Sequence, residues 1–397
     1  MKRITIISIL GLAAFFTNAQ NRSLRKSSTT ILPTFGNAPE TGMQLGFDLI
    51  HFRDFAGGDT TSRMSKLFFW GFYTEKKQYS AYGIWQIYTP QEKYNFNGSF
   101  QTGYWVDRFY NIGNKSDAQV LEWNAKELNK LNYANYSYIF TNVYGIFDKK
   151  IAPHLFGGLV LDYDKASKNK FLADSVSDLT GKVDLTRNEA RRIGVGVNLN
   201  YDSRDNSDNP LKGFYAQMTV VKYNGALGSD VDYHTFTLDA IKYINTFNKQ
   251  TLALRLVTEY RKAETAANIP VRGLSYNGGI CFLRGYYAGT FRANNLLAIE
   301  TEYRLPINVI DGAGFFQFWK RIGMVVFASG VKVSDKYSSL YNGSTDVHFA
   351  VGAGLRYMLD MKQRINVSMD YAVGLDRSVG LDGGRPSGIY FDISEAF

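Results

Sequence analysis

The chain has 397 residues, including 27 Tyr, 28 Phe and 37 Gly, with only 8 Pro and 1 Cys. The single cysteine excludes an internal disulfide framework. The net charge of +9 comes from Lys and Arg residues that are scattered along the chain, which argues against a nucleic-acid-binding protein.

The N-terminal segment has the pattern of a secretory signal peptide. Lys2 and Arg3 precede an apolar run, and Ala19 supplies the small residue of a cleavage site. The run is too short to cross a bilayer as a helix. We therefore predict a signal peptide at 1–19 and one mature domain at 20–397.

Several later segments alternate between apolar residues and small or polar ones. In 193–202 (IGVGVNLNYD) and 365–373 (INVSMDYAV), the large apolar residues fall on one face of a strand and the small or polar ones on the other. No segment after the signal peptide approaches the roughly 18 apolar residues that a membrane helix needs. Two architectures produce such ribbons, a soluble β-sandwich and a transmembrane β-barrel.

Aromatic residues near the predicted strand ends favour the barrel, because transmembrane barrels carry aromatic girdles at both membrane interfaces. Examples are Tyr104, Tyr138 and Phe140. The last segment, IYFDISEAF, also alternates and ends on Phe, as is characteristic of outer-membrane barrels. Its in-phase residues are Ile389, Phe391, Ile393 and Phe397.

The alternating segments predict about sixteen strands, an even number, as in single-chain bacterial barrels. In chain order they lie near 31–38, 42–52, 64–76, 79–90, 93–107, 134–147, 151–165, 190–203, 213–225, 231–245, 249–262, 293–306, 322–333, 346–358, 363–374 and 387–397. Apart from 307–321, the long connections fall on one side, as extracellular loops do. We predict an all-β, antiparallel transmembrane β-barrel in the bacterial outer membrane.

The sixth and longest predicted extracellular loop contains an arginine within an aromatic motif. The motif residues are Leu283, Arg284, Gly285 and Tyr286. If the loop folds into a lumen of low effective dielectric, the arginine needs a carboxylate partner. The following strand places Glu300, Glu302 and Arg304 on one face, so we expect Arg284 to pair with Glu302 or Glu300.

A polar segment, YDSRDNSDNPLKGF, forms the predicted turn on the periplasmic side between the strands at 190–203 and 213–225. Its side chains favour a turn built from Asx residues, proline and glycine. The spacing does not match a known calcium-binding loop. The residues of this turn motif are Tyr201, Asp202, Arg204, Asp205, Asn206, Pro210 and Gly213.

These motifs and their order resemble those of the BamA/TamA-like outer-membrane assembly barrel superfamily, the bacterial surface antigen family. The resemblance implies a sixteen-stranded barrel whose inward-folded sixth loop carries the Arg284 motif. It also implies that Glu302, Arg304 and Pro306 form the family's Glu-x-Arg-x-Pro pattern in the next strand. The Tyr201–Gly213 turn and the C-terminal strand likewise resemble family signatures.

The sequence departs from the family pattern in two places. Ala328 stands where the family usually has an aspartate for the motif arginine, so either the lumen network is altered or Glu302 alone pairs with Arg284. The segment between Gln20 and the first strand is too short for a POTRA module. We therefore expect a barrel-only member.

The resemblance implies a role in the assembly or insertion of outer-membrane proteins, as a POTRA-less member or a subunit of a machine. The first strand is short and contains Pro33, so the seam between the first and last strands is expected to close poorly and to open sideways. The alternative is an autonomous structural or transport barrel, a pore or a scaffold subunit, without insertase activity. The expected partners are outer-membrane lipid and, for an assembly role, other assembly components or client barrels.

No grouping of residues predicts an active site. The four histidines, His51, His154, His234 and His348, lie in unrelated segments and share no metal-ligand spacing. No serine-containing elbow lies near any of them. We expect neither catalysis nor a cofactor nor a bound metal.

Overall fold

The computed structural model describes residues 27–38, 42–55, 62–109, 134–172, 188–247, 249–263, 269–279, 282–306, 321–343, 346–360, 364–376 and 384–393. The chain forms one antiparallel sheet of 16 strands in which each strand pairs with the next along the sequence. The predicted all-β barrel is thereby confirmed. The strands are β1 (Ser27–Ala38), β2 (Gly42–Arg53), β3 (Ser65–Thr74), β4 (Tyr79–Tyr88), β5 (Tyr94–Phe109), β6 (Ala134–Ala152), β7 (Leu155–Phe171), β8 (Arg192–Asp202), β9 (Gly213–Tyr223), β10 (Tyr233–Asn245), β11 (Thr251–Ala263), β12 (Asn295–Pro306), β13 (Ile322–Ser334), β14 (His348–Asp360), β15 (Ile365–Gly374) and β16 (Ser387–Ile393).

The first strand is longer than the sequence predicts. β1 begins at Ser27 rather than near residue 31 and pairs with β2 over its whole length, with Pro33 opposite Phe47. In the part of the chain that the structure describes, no ladder joins β1 to β16. β1 is thus an edge strand, where a proline is tolerated because one side needs no donor.

The outer face of the barrel is mainly apolar and much of its inner face is polar, as β8 and β15 show. On β8, Val197 is 57% exposed whereas Asn198, which follows it, is 5% exposed. On β15, Tyr371 is exposed and Asp370 is buried. Apolar side chains outside and polar ones inside are what lipid and a wet lumen require, and this arrangement excludes a soluble sandwich with an apolar core.

The aromatic girdle is only partly as predicted. Tyr104 lies on the outer face, 6.3 Å from Tyr79 between ring centroids. Tyr138 and Phe140 instead lie on the inner face and are each 5% exposed. The girdle prediction was wrong for these two residues, because the strand phase at their positions points them into the lumen, where they pack against a loop.

The long connections β5–β6, β7–β8, β11–β12, β13–β14 and β15–β16 join strand ends at the same edge of the sheet, the extracellular edge of such a barrel. The connection at 264–294 is the sixth on that side and is called loop 6 below. The signal peptide, Cys281, most of the 307–321 turn and Phe397 lie outside the described residues. Within those described, no helix is long and apolar enough to cross a membrane.

Candidate functional site

Loop 6 folds back on itself as an irregular hairpin. Asn277 forms a bridge with Phe291, and the N–H of Ser275 donates to the carbonyl of Ala293 at 2.9 Å. The N–H of Gly279 donates to the carbonyl of Tyr286 at 2.8 Å. Most described residues from 271 to 293 are buried, including all four of the motif, so the motif is enclosed by the strands.

Arg284 is 2% exposed and lies between two carboxylates on different strands. Its Nη2 donates to Glu302 Oε2 on β12 at 3.1 Å, and its Nη1 donates to Asp370 Oδ2 on β15 at 2.6 Å. The guanidinium carbon lies 3.5 Å from the ring centroid of Phe327 on β13. The arginine therefore joins loop 6 to three strands at once.

Each of these two carboxylates also binds one further arginine. Glu302 Oε1 accepts from Nε of Arg304 at 2.8 Å. Asp370 Oδ1 accepts from Nη1 of Arg356 at 2.5 Å. The cluster therefore contains three cations and two anions, all of them buried. Their ion pairs fix the orientation of each side chain.

The structure corrects two expectations about the partners of Arg284. Glu300 pairs with Arg255 at 3.3 Å, and in the described chain only Glu302 and Asp370 form salt bridges with Arg284. Ala328 points to the outer face, so no side chain at that position can reach the lumen. Asp370 is the second acid, and its place on the polar face of the 365–373 ribbon was a signal in the sequence.

The other three motif residues attach the loop to β11–β14 and to β16. Gly285 has φ +112°, a region that favours glycine, and its N–H donates to the hydroxyl of Tyr390 on β16 at 2.8 Å. Tyr286 donates from its hydroxyl to the carbonyl of Phe349 at 3.0 Å. Leu283 is fully buried in an apolar cluster with Tyr286 and residues of β11 to β14.

Two more arginines of loop 6 bind the wall formed by β5 to β7, which sequence reasoning missed. Arg292 donates to Asp107 Oδ2 at 2.7 Å and to the hydroxyl of Tyr136 at 3.2 Å. Arg272 donates to Asp164 Oδ2 at 2.9 Å. Both acids lie at inward-facing positions of their strands, and the alternation in the sequence already indicated this. The loop therefore contacts walls that lie about half the circumference apart.

His348, which opens β14, is 1% exposed and lies beneath loop 6. Its ring is stacked on Phe291 at 3.8 Å between centroids, and its Nδ1 lies 2.6 Å from Asp376 Oδ2. The N–H of Asp376 donates to the hydroxyl of Tyr286 at 3.2 Å. The histidine thus packs against the hairpin and ties the β15–β16 connection to it.

The turn between β8 and β9 is organised by its own side chains. Asp202 accepts from Nε and Nη2 of Arg204, both at 2.9 Å. Asn206 Oδ1 accepts from two backbone N–H groups, those of residues 208 and 209. Gly213 has φ +122°, and a Cβ there would lie 2.5 Å from the carbonyl oxygen of Ser203. Of the remaining motif residues, Pro210 is buried and Tyr201 points outward.

Three cations from other parts of the barrel bind this turn. Arg63 pairs with Asp202, and Lys66 pairs with Asp208. Arg364, in the β14–β15 turn, donates to Asp205 Oδ2 at 2.8 Å. Burial raises the pKa of Asp205, but Arg364 and the N–H groups of residues 211 and 212 outweigh it, so the pKa lies below its usual value.

The C-terminal strand presents its apolar residues outward. Ile389 is 60% exposed and Phe391 is 43% exposed, as lipid-facing residues are. The side chain of Ile393 and the whole of Phe397 lie outside the described part of the chain. Among the described residues, no cluster of acids, histidines and cysteines is suited to a metal ion.

Comparison with known proteins gives one family. The Omp85 superfamily domain matches residues 77–397. Among solved structures, BamA from Haemophilus ducreyi lacking POTRA domains 1-3 is 13% identical, with a TM-score of 0.56 over 93% of this chain and 70% of that one. CdiB from Escherichia coli is 10% identical, with a TM-score of 0.58 over 94% of this chain and 63% of that one.

CdiB from Acinetobacter baumannii is 11% identical, with a TM-score of 0.51 over 94% of this chain and 61% of that one. The chain thus spans less than two thirds of both CdiB chains. At these identities the likeness is one of fold. No curated protein matches the sequence.

Proposed function

The chain belongs to the Omp85 superfamily, and from this premise we propose that it assists the assembly or insertion of outer-membrane proteins. It is an outer-membrane barrel, as BamA and CdiB are. The observation that carries the proposal is the seam. β1 and β16 share no ladder within the described residues, so each leaves a row of backbone donors and acceptors beside the bilayer.

Side chains hold this seam together where backbone bonds do not. Ile50 and Phe52 of β2 pack in one apolar cluster with Ile365 of β15, across β1 and β16. Such contacts separate at lower cost than a full ladder, since no backbone hydrogen bonds break. A client strand then pairs with the exposed edge by β-augmentation.

The loop-6 motif supports the proposed assembly role because it fixes the last strands in place. Gly285 bonds to Tyr390 of β16, while Arg284 bonds to β12 and β15. We infer that Arg284 is a latch that fixes the loop and makes no direct contact with a client. A buried ion pair fixes geometry, and the contacts that surround Arg284 are all internal.

The second candidate is an autonomous structural or transport barrel. Two polar cavities favour it: one of about 190 Å³ near Asp162, Arg192 and Arg272, and one of about 180 Å³ near Asp148 and Asn97. Solute transport would need these cavities to connect. The ion pairs of loop 6 and of the β8–β9 turn oppose that connection, so we favour the assembly role.

A seam cross-link tests the proposal. We would scan cysteine pairs with one member on β1 and one on β16, in a Cys281→Ser background, and reconstitute each pair in liposomes. Insertion of a urea-denatured client barrel should be faster than in empty liposomes, should fall to the empty-liposome rate on oxidation, and should recover on reduction.

The control pair is Tyr371→Cys with Ile389→Cys, which face each other in the β15–β16 ladder. Oxidation of this pair should leave insertion unchanged, because these strands are already joined. Full activity of a protein cross-linked at the seam would exclude lateral opening. A wild type that gives no acceleration would exclude the assembly role itself.

A further inference from the structure

A proline lies near the middle of the first strand. Pro33 is the seventh residue of β1, which has 12 residues. β1 pairs with β2 on one side, and within the described residues no ladder joins it to β16 on the other. A proline has no backbone N–H. The direction in which the backbone of Pro33 points therefore decides which side of β1 lacks a donor.

Met43, near the start of β2, shows how the backbone of β2 is oriented. The N–H of Met43 donates to Glu75 Oε2 at 3.2 Å, and its carbonyl accepts from the N–H of Glu75 at 2.7 Å. Glu75 directly follows β3, so the backbone of Met43 points to β3. Backbone groups of successive residues in a strand point to opposite edges. Phe47, four residues after Met43 in a regular ladder, therefore also points to β3 and away from β1.

The backbone of Pro33 points to the seam. Phe47 is opposite Pro33 in the ladder and points away from it, so the two form a non-hydrogen-bonded pair. The bonds between β1 and β2 are formed by the alternate pairs, such as Thr34 with Gly46. The β1–β2 ladder therefore loses no bond to the proline, and the missing donor lies on the seam side.

The edge of β1 that faces the seam consists of two short segments on either side of Pro33. A strand that docks along the whole edge leaves the carbonyl opposite Pro33 without a donor, whereas the other positions offer a donor and an acceptor each. From residue 29 to residue 37, the residues whose backbone points to the seam are Thr29, Ile31, Pro33, Phe35 and Asn37.

The side chains around Pro33 place this gap at the level of the acyl chains. Phe47 is 45% exposed and lies 5.7 Å from Phe69 between ring centroids, and Ile31 is 64% exposed. Exposed apolar side chains on the outer face of a barrel contact lipid. No water is present at this depth to bind the carbonyl that lacks a donor, so the gap weakens the pairing at its centre.

We propose that Pro33 sets the lifetime of the pairing between β1 and a client strand. The partner is an amphipathic β-strand, which bonds to the two segments on either side of Pro33 by β-augmentation. The missing donor keeps this pairing short-lived, so that the strand docks on the edge and then leaves it. The inference rests on the proposed assembly role and adds to it the residue that governs release.

The half-life of a model strand on the barrel tests the proposal. The full-length mature protein is placed in lipid nanodiscs, and the probe is a fluorescein-labelled peptide, SGIYFDISEAF, with the sequence of residues 387–397. Its dissociation is followed by fluorescence anisotropy after excess unlabelled peptide is added, with empty nanodiscs as the background. Pro33→Ala restores the donor and leaves the β1–β2 ladder as it is. It should lengthen the half-life roughly tenfold.

Two further variants are matched to this one. Pro153→Ala makes the same chemical change in the turn between β6 and β7, away from the seam, and should leave the half-life unchanged. Ile31→Pro combined with Pro33→Ala moves the gap by two residues along the same edge. This variant should restore the short half-life.

The outcomes separate this proposal from the assembly role. Equal half-lives on the wild type and Pro33→Ala, with the peptide bound to both, would overturn the proposal and leave the assembly role standing. Weaker binding to Pro33→Ala, an equal increase in Pro153→Ala or a failure of Ile31→Pro to restore release would also overturn it. Binding to neither protein would overturn the docking step itself, whereas the assembly role is measured separately by insertion of the client barrel.

Discussion

Gly285 and Arg284 are neighbours that depend on different physical properties. Arg284 needs a planar fork with charge, because it reaches carboxylates on two strands while lying against the ring of Phe327. Gly285 needs the absence of a side chain, because its backbone lies against β15 and bonds to Tyr390. The motif therefore encodes one electrostatic contact and one close backbone approach.

Gly285→Ala should loosen the loop. The new Cβ would lie 2.7 Å from the backbone N of Gly374, at a φ of +112° that L residues rarely adopt. Strain of this kind costs about 1–3 kcal/mol. We expect a lower urea midpoint for unfolding from lipid vesicles and faster protease cleavage within loop 6.

Gly145→Ala on β6 is the control. It makes the same chemical change, but a Cβ there meets no atom within 4 Å. Its urea midpoint should stay near that of the wild type. Equal midpoints for the two variants would mean that the loop does not rest against β15 as closely as the structure indicates.

The β8–β9 turn acts as a unit at the level of secondary-structure elements. Its internal bonds shape it, and Arg63, Lys66 and Arg364 attach it to the β2–β3 and β14–β15 regions. Those regions flank the seam, whereas β8 and β9 lie on the far side of the barrel. The turn thus braces the periplasmic mouth across its width.

Stability should depend on pH through the pair of Asp205 and Arg364. The folded pKa of Asp205 lies below its ordinary value of 3.8, so the stabilisation is present above that pH and is lost as the pH falls through the lower folded pKa. The side chains are 21% and 33% exposed, so the effect is below about 1 kcal/mol.

Arg364→Gln should flatten this part of the pH profile when urea midpoints are measured from pH 5 downward in steps, at constant salt. Arg191→Gln is the control, because it removes an arginine from an exposed pair with Asp230 on the other side of the barrel. Its profile should follow the wild type. Identical profiles for wild type and Arg364→Gln would contradict the prediction.

At the scale of the whole molecule, loop 6 obstructs the lumen by being attached to opposite walls. Arg284 holds β12 and β15, and Arg292 holds β5. We expect either attachment alone to keep the hairpin inside the lumen. The two contacts are therefore coupled through the loop, and their removal should not be additive.

We expect low conductance for the wild type in planar bilayers and a small rise in Arg284→Ala or Arg292→Ala. The double variant should rise by more than the sum of the two, because both arginine attachments are then lost and, of these three loop arginines, only Arg272 still binds the wall. Arg191→Ala, outside the lumen, controls for loss of charge. A large steady conductance of the wild type would favour the transport barrel.

The sequence by itself determined the strands, their order and their orientation. A period of two is a local property, so the ribbons at 193–202 and 365–373 can be recognised without knowing their neighbours. Pairing between sequence neighbours needs no long-range information either. The loop-6 motif and Glu302 were visible for the same reason, since they lie close together in the chain.

Only the tertiary structure decided which distant side chains meet. Asp370 is 86 residues from Arg284, and Asp107 is 185 residues from Arg292. Strand phase shows that these acids point inward. It does not give the position along the barrel axis at which an arginine of the loop lies. That position depends on the path of the hairpin, which is set by the packing of Leu283 and Tyr286 against four strands.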